Sequence, residues 1–501
     1  MTTPIYRSTS LRRIEATNAA APLMQHAGAA ASAWATELAI ERERPILVLA
    51  GPGNNGGDAF EAARLLRERF FTTVVVFAGD PQRLPADAAA AYQRFAEAGG
   101  TTVGDIPNDV RWSLIIDGLF GIGLARAPAG KYADWIVAAN ALAVRDACPL
   151  LALDCPSGLD ADSGQVFEPC IRASHTITFI GTKPGLLTAD GPDHCGEIHI
   201  ADLELPDAPD LPADGHLLGL ADFASHLQQR PRNSHKGNFG SAGILGGAPT
   251  MVGAAFLAGR AALNLGAGRV YLGLLDAHPP ACDLLQPELM LRRARTLLQT
   301  DLTALACGPG LGDSLEATEL LEAAIATSLP LLLDADALNL VASEGNLQVA
   351  LASRDEPAVL TPHPAEAARL LGSATSEVQA DRIAAAQEIA AHYHCHVALK
   401  GCGTVIVTVD GRWWINSTGN PGMASAGMGD VLSGLIVALL AQGWPADTAL
   451  LAGVHLHGAA ADRLVADGIG PVGLTAGEVI AAARRLFNAW TANPSATLLS
   501  G

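Results

Sequence analysis

Pro45-Ile46-Leu47-Val48-Leu49-Ala50-Gly51-Pro52-Gly53-Asn54-Asn55-Gly56-Gly57-Asp58 is the stretch on which the fold turns. The apolar run Pro45–Ala50 has the length and composition of a buried strand. It passes directly into eight residues that hold four glycines, two asparagines and an aspartate, more than a tight turn requires. A helix is expected after Asp58, over Ala59–Phe70. Strand, glycine loop and helix in that order bring backbone amides and a helix N-terminus to a point where an anion can approach. The loop is not G-x-G-x-x-G, so it does not predict ordinary dinucleotide-dependent hydride transfer.

Working outward, the same alternation repeats. Further strands are expected at Thr72–Ala78, Ser113–Asp117, Leu150–Asp154 and Thr176–Ile180, with Ala86–Ala98 helical and an Ala-rich helical face from Ser8 to Leu38. Strands alternating with helices predict a parallel sheet covered on both faces. Two of these strands end in acids. One is Asp117 in Asp117-Gly118-Leu119-Phe120-Gly121-Ile122-Gly123, the other Asp154 in Asp154-Cys155-Pro156-Ser157-Gly158-Leu159-Asp160. Carboxyl ends of parallel strands form the ligand crevice, so these loops should converge with Gly51–Asp58. Each acid alone would pass for a turn cap; successive strand ends favour a site.

Three prolines in Leu205–Pro212 mark a linker between domains expected at 1–210 and 217–495. A second alternation follows, with strands at Ser241–Leu245, Arg269–Leu275, Ala304–Cys307, Leu329–Asp334, Ala358–Leu360, Val397–Lys400 and Thr404–Val409. No fixed-period repeat relates the halves. The predicted class is α/β, two doubly wound α/β/α domains. A length of 501 residues exceeds one core, and an aromatic share of 5% implies cores built from Ala, Val, Leu and Ile.

A net charge of −19 repels nucleic acid and anionic membrane, so any phosphorylated ligand must be held by local amides and a few cations. No basic patch suggests nucleic acid, and Val431–Leu440 is too short to span a bilayer. None of the eight cysteines forms C-x-x-C, and the N-terminus does not read as a secretory signal; reduced thiols and a cytoplasmic location are expected.

In the second half, small residues from Asn416 run to Gly427-Met428-Gly429-Asp430, ahead of an apolar helix. Amides at that helix start would stabilise charge developing in phosphoryl transfer, with Asp430 placed as general base for an attacking hydroxyl. No G-x-x-x-x-G-K-[ST] occurs, which excludes a P-loop enzyme.

These residues carry two resemblances. Gly51–Asp58, Asp117–Gly123 and Asp154–Asp160, in that order and spacing, resemble the NAD(P)H-hydrate epimerase domain, over roughly residues 8 to 204. The resemblance implies a Rossmann-like fold, and hydrate binding by Asn54, Asn55, Gly56, Gly57, Asp58, Gly121, Ile122, Gly123, Leu124, Ala125, Arg126 and Ala127. It further implies K⁺ at Asn55, Asp117 and Ser157, and acid/base work by Asp154 at the C6 carbinol. Ala59 departs from the family's usual glycine.

Gly427–Asp430 is similar to the ribokinase-like superfamily. Within it, His235–Gly240, Gly308-Pro309-Gly310-Leu311-Gly312, Thr361–Glu366 and Lys400-Gly401-Cys402-Gly403-Thr404 resemble ADP-dependent NAD(P)H-hydrate dehydratases, over about residues 217 to 488. That implies adenine-nucleotide contacts from Lys400, Gly401, Cys402, Gly403, Thr404 and Gly429. It also implies a hydrate pocket of Ala254, Gly310, His363 and Asp430, and ADP and Mg²⁺ as co-substrate and cofactor. Ala365 replaces the family's usual glycine. Together the halves imply a multifunctional isomerase and lyase acting on NADH and NADPH hydrates, and self-association is expected.

His392-Tyr393-His394-Cys395-His396 looks like a metal cluster but reads as a helix-to-strand junction, His455–Gly458 as helix packing, and Trp413-Trp414 as a hairpin edge. Two other readings stay open from residues alone: a ribokinase-like kinase for a small alcohol or vitamin precursor fused to a regulator, and a non-catalytic binding module in the N-terminal half.

Overall fold

A computed structural model describes residues 3–205 and 212–492, so most of the linker read at Leu205–Pro212 lies outside the described residues. The chain divides into two compact units, Pro4–Gly215 and the part from His216 onward.

In the first unit a parallel sheet runs in the order Thr102–Val103, Thr73–Val76, Ile46–Ala50, Leu114–Gly118, Leu150–Leu153, His175–Phe179, Glu197–Ala201. The order reverses direction between Ile46–Ala50 and Leu114–Gly118, and a crevice opens outside the strand ends at such a switch point. Ile46 to Ala50 are fully buried, as a central strand covered on both faces must be. The expected Ser8–Leu38 segment is two helices, Ser8–Thr17 and Leu23–Leu38, with Pro22 at the N-cap of the second. The helix after the glycine loop begins at Asn54, not after Asp58. Its close approach to Leu23–Leu38 depends on small residues: a Cβ on Gly28 would stand 2.3 Å from the Glu61 Cβ.

The second unit's sheet runs from Met290–Arg293 through Arg269–Leu274, Ser241–Gly246, Ala304–Cys307, Leu331–Leu333, Val359–Leu360 and His396–Leu399, all parallel. Thr404–Val407 and Trp413–Asn416 then add an antiparallel hairpin. Trp413–Asn416 is not an edge, because Gly215–Leu217 pairs along its far side. So short a strand carries no periodicity for sequence reading to detect. Val431 to Ala441 lie wholly buried within the helix Met428–Ala441, and among the described residues no helix is long and apolar enough to cross a membrane.

Candidate active sites

Four adjacent strands of the first sheet deliver their ends to one cavity of about 790 Å³. It is lined from the sheet side by Pro52–Asn55 and Asp58, Leu119–Leu124, Asp154, and Phe179, Ile180 and Lys183, and from above by the helix carrying Leu11, Arg12 and Glu15. Asp154 adopts φ +64°, a left-handed conformation disfavoured for any residue with a Cβ. Its carboxylate accepts from Lys183 Nζ at 2.5 Å and from the Ile122 amide at 3.3 Å. Lys183 is buried and also donates to Thr178 Oγ1 and the Phe179 carbonyl, which fix its ammonium on Asp154.

Lys183 was not among the residues expected from sequence. Its signal is a lone cation in Gly181-Thr182-Lys183-Pro184-Gly185, at the end of an expected strand.

Asp117 is fully buried and accepts from the Ser157 amide (2.8 Å), Ser157 Oγ (2.7 Å) and the Leu119 amide (3.2 Å). Burial nevertheless pushes its carboxyl up to about 6. Asn55 lies against the same loop: a Cβ on Gly121 would stand 3.5 Å from Asn55 Cγ and 2.9 Å from Asp154 Oδ2. Both polar atoms of the Asn55 amide are buried with no hydrogen-bond partner. Burying an amide unpaired is costly, so this orphan oxygen at the Gly118–Gly121 turn, which follows Asp117, suits a cation that takes oxygen ligands. Asp58 also lines the cavity, and burial, with Asp154 next, holds its carboxyl well above the usual range.

Not every expected binding residue faces this cavity. Gly56 and Gly57 do not line it; a Cβ on Gly56 would stand 2.0 Å from the Gly51 carbonyl oxygen, and one on Gly57 2.5 Å from Met24 Sδ. They serve close packing of the helix start, whereas Gly53, with open space around it, faces the cavity. Gly121 to Leu124 line it; Ala125, Arg126 and Ala127 do not. Ala59, the departure from the family pattern, is fully buried against Gly118, whose missing Cβ leaves room for the methyl.

In the second unit, the carboxyl ends of parallel strands again gather polar groups. Lys400 Nζ donates to Asp334 Oδ1 at 2.7 Å, and Ser433 Oγ holds the other oxygen at 2.7 Å. The helix Met428–Ala441 starts over this pair, entered through Gly427 at φ +90°. A Cβ on Gly429 would stand 3.4 Å from Lys400 Nζ and 3.6 Å from Asp334 Oδ2. Asp430 follows in the first turn. Burial, then the charge of Asp334, pushes its carboxyl up to about 6, against the pull of Lys400. A carboxylate poised there suits proton abstraction near neutral pH.

Gly310 (φ +60°) packs beside Ala254, and the Lys400 amide bonds the Pro362 carbonyl next to His363. His363 Nδ1 caps its helix by accepting from the Ala365 and Glu366 amides, and burial, Lys400 and Arg369 lower its pKa. Gly401 (φ +149°) turns the chain over the Arg382 guanidinium toward Thr404, with Cys402 exposed. The exposed His235-Lys236-Gly237-Asn238 lies instead before the strand Ser241–Gly246, at the opposite end of the sheet.

Asp334 was missed although it closes an expected strand in Asp334-Ala335-Asp336, the pattern that singled out Asp117 and Asp154. At the other histidine cluster, Cys395 Sγ bonds the Tyr393 carbonyl, and His396 Nδ1 accepts from the Val409 amide.

Residues 242–481 match the family described as NAD(P)H-hydrate dehydratase, and residues 20–185 the family described as YjeF-related protein N-terminus. The bifunctional NAD(P)H-hydrate repair enzyme Nnr of Coxiella burnetii is 38% identical over 452 residues, covering 88% of this chain and 90% of that protein. Its namesake from Escherichia coli is 37% identical over 461 residues, covering 88% and 85%. Among solved structures, the ADP/ATP-dependent NAD(P)H-hydrate dehydratase of Bacillus subtilis, co-crystallised with ATP and Mg²⁺, is 30% identical and covers 53% of this chain and 97% of that one, at a TM-score of 0.46. With both halves matched in order and the two relatives covered over 85–90% of their length, the chain belongs to the family of bifunctional NAD(P)H-hydrate repair enzymes.

Proposed function

We propose that the N-terminal cavity interconverts the R and S hydrates of NADH and NADPH, and that the C-terminal site dehydrates the S form with ADP, releasing AMP and phosphate. The observation that carries this reading is that each unit gathers a carboxylate, a cation and glycine turns at the carboxyl end of its own parallel sheet.

In the N-terminal site Asp154 handles the proton at the C6 carbinol, and Lys183 holds it in position. Asn55, Asp117 and Ser157 would hold K⁺; the buried, unbonded Asn55 amide and the fully buried Asp117 fit an oxygen-liganded cation. Bound there, K⁺ would supply positive charge at the end of the glycine loop.

In the C-terminal site Asp430 takes the proton from the substrate's C6 hydroxyl as its oxygen attacks the β-phosphorus of ADP. The P–O bond to AMP breaks, and the phosphorylated C6 oxygen then leaves as phosphate while C5 loses a proton. The first-turn amides from Met428 face the transferring group, and Lys400 to Thr404 and Gly429 contact the nucleotide. Mg²⁺ would neutralise phosphoryl oxygens. Both oxygens of Asp334 are already taken by Lys400 and Ser433, so phosphate and water would supply most of that ion's ligands. Eight cysteines, all without disulfides, accord with a cytoplasmic setting.

The test is recovery of reduced-nicotinamide near-UV absorbance from mixed R and S NADH hydrate with ADP. Wild type should recover it all, Asp154→Asn should stall with the R form unconsumed, and Asp430→Asn should recover none. No recovery by wild type refutes the repair reading, and full recovery by Asp154→Asn reduces the N-terminal half to a binding module.

A further inference from the structure

Three cations line the N-terminal cavity: Arg12, Arg94 and Lys183. Two are engaged. Lys183 holds Asp154, and Arg94 bonds Glu61, whose side chain has no solvent exposure. Arg12 makes neither a hydrogen bond nor an ion pair among the described residues, although its charge is felt by Glu15 on the same helix. Its Nη2 stands 4.0 Å from the position of a Cβ on Gly123, which sets the guanidinium over the Gly121–Leu124 turn.

Packing does not account for this placement. The helix Ser8–Thr17 is anchored by Ser8, Leu11 and Ile14, while Arg12 is exposed and turned to the cavity. Four acids share the lining, Glu15, Asp58, Asp87 and Asp154, so the local field repels an anion as the whole chain does. A phosphorylated ligand entering here needs one cation whose donors are unoccupied, and a guanidinium offers a planar fork matched to phosphate oxygens.

We propose that Arg12 is a phosphate-binding residue of this cavity, closing on the substrate from the N-terminal helix while the Gly121–Leu124 turn meets it from the sheet. The assignment rests on the epimerase reading of the site. A dinucleotide hydrate presents this chemistry twice, as its pyrophosphate and, in the phosphorylated form, as a 2′-phosphate.

The experiment follows R-to-S conversion by the full chain with NADH hydrate and with NADPH hydrate. Arg12→Ala should raise KM about 10- to 100-fold with kcat within about threefold, and Arg12→Lys should regain part of the loss. A penalty equal for both substrates identifies the pyrophosphate; one confined to NADPH hydrate identifies the 2′-phosphate. Arg13→Ala, on the same exposed helix but outside the cavity lining, should match wild type. Unaltered S-hydrate dehydration and an unaltered melting curve certify that each variant is folded. A KM within twofold of wild type for both hydrates overturns the assignment, as does an equal effect from Arg13→Ala. Wild type that converts no R hydrate sinks the epimerase reading itself, and Arg12's role with it.

Discussion

Asp430→Asn should abolish dehydration and, in the same molecule, raise the thermal stability of the C-terminal unit at neutral and alkaline pH. Burial and the neighbouring Asp334 lift the Asp430 carboxyl from the usual 3.8 to about 6 in the folded protein. A carboxyl raised on folding favours the native state while protonated. That contribution is fully present below pH ~4 and lost as pH rises through about 6. A gap of this size corresponds to about 3 kcal/mol at most. Asp430 is only partly buried and Lys400 offsets some of the cost, so about 1–2 kcal/mol is expected.

Asparagine keeps the volume and removes the charge. For a unit of this size the gain corresponds to a rise of about 2–8 °C in Tm. The assay is thermal unfolding of the nucleotide-free chain at pH 4.5 and pH 8, beside turnover of S hydrate at each pH. The gain should be full at pH 8 and fall to about a third of that at pH 4.5, with turnover absent at both. Equal stabilisation at the two pH values, or a variant less stable than wild type at pH 8, would refute the argument that ionising Asp430 strains the fold.

Wild-type dehydration should also decline as pH falls through about 6, since a protonated Asp430 cannot act as base; a flat kcat profile from pH 5 to 8 contradicts that role. Gly429→Ala should fold with an unchanged Tm, because its Cβ meets Lys400 and Asp334 at ordinary contact distances of 3.4 and 3.6 Å. It should still lose at least about tenfold in dehydration kcat, measured with saturating S hydrate, by crowding the transferring phosphate. Lys183→Met leaves Asp154 without its cation and should cut epimerisation at least about 100-fold while sparing S-hydrate turnover, both followed chromatographically. Replacing K⁺ by a large organic cation should slow epimerisation only, and Asn55→Ala should remove that sensitivity in parallel rate measurements.

Much of both sites was legible because glycine turns and strand-end acids carry local signals. Gly51–Asp58, Asp117, Asp154 and Gly427–Asp430 each stand where an apolar run stops or starts, and parallel sheets collect such points at one edge. Strand positions followed from the same apolar runs to within a few residues, but Thr3–Ile5, Thr102–Val103, Glu197–Ala201, Gly215–Leu217 and Met290–Arg293, short or near a sheet edge, were not expected. Only the tertiary structure decided which glycines face the cavity and which pack. Gly53 is open while Gly56 and Gly57 are pressed against the Gly51 carbonyl and Met24, a difference of surroundings that residue type does not record. Pairing was equally invisible. Lys183 meets Asp154 across 29 residues, Lys400 meets Asp334 across 66, and Arg12 meets the Gly121–Leu124 turn from a helix far upstream. The chain's order and composition determine which groups exist at the strand ends. Burial and long-range contact, set only when the sheets close, determine which carboxylates are paired, which are raised toward neutrality, and which cation is left for a phosphate.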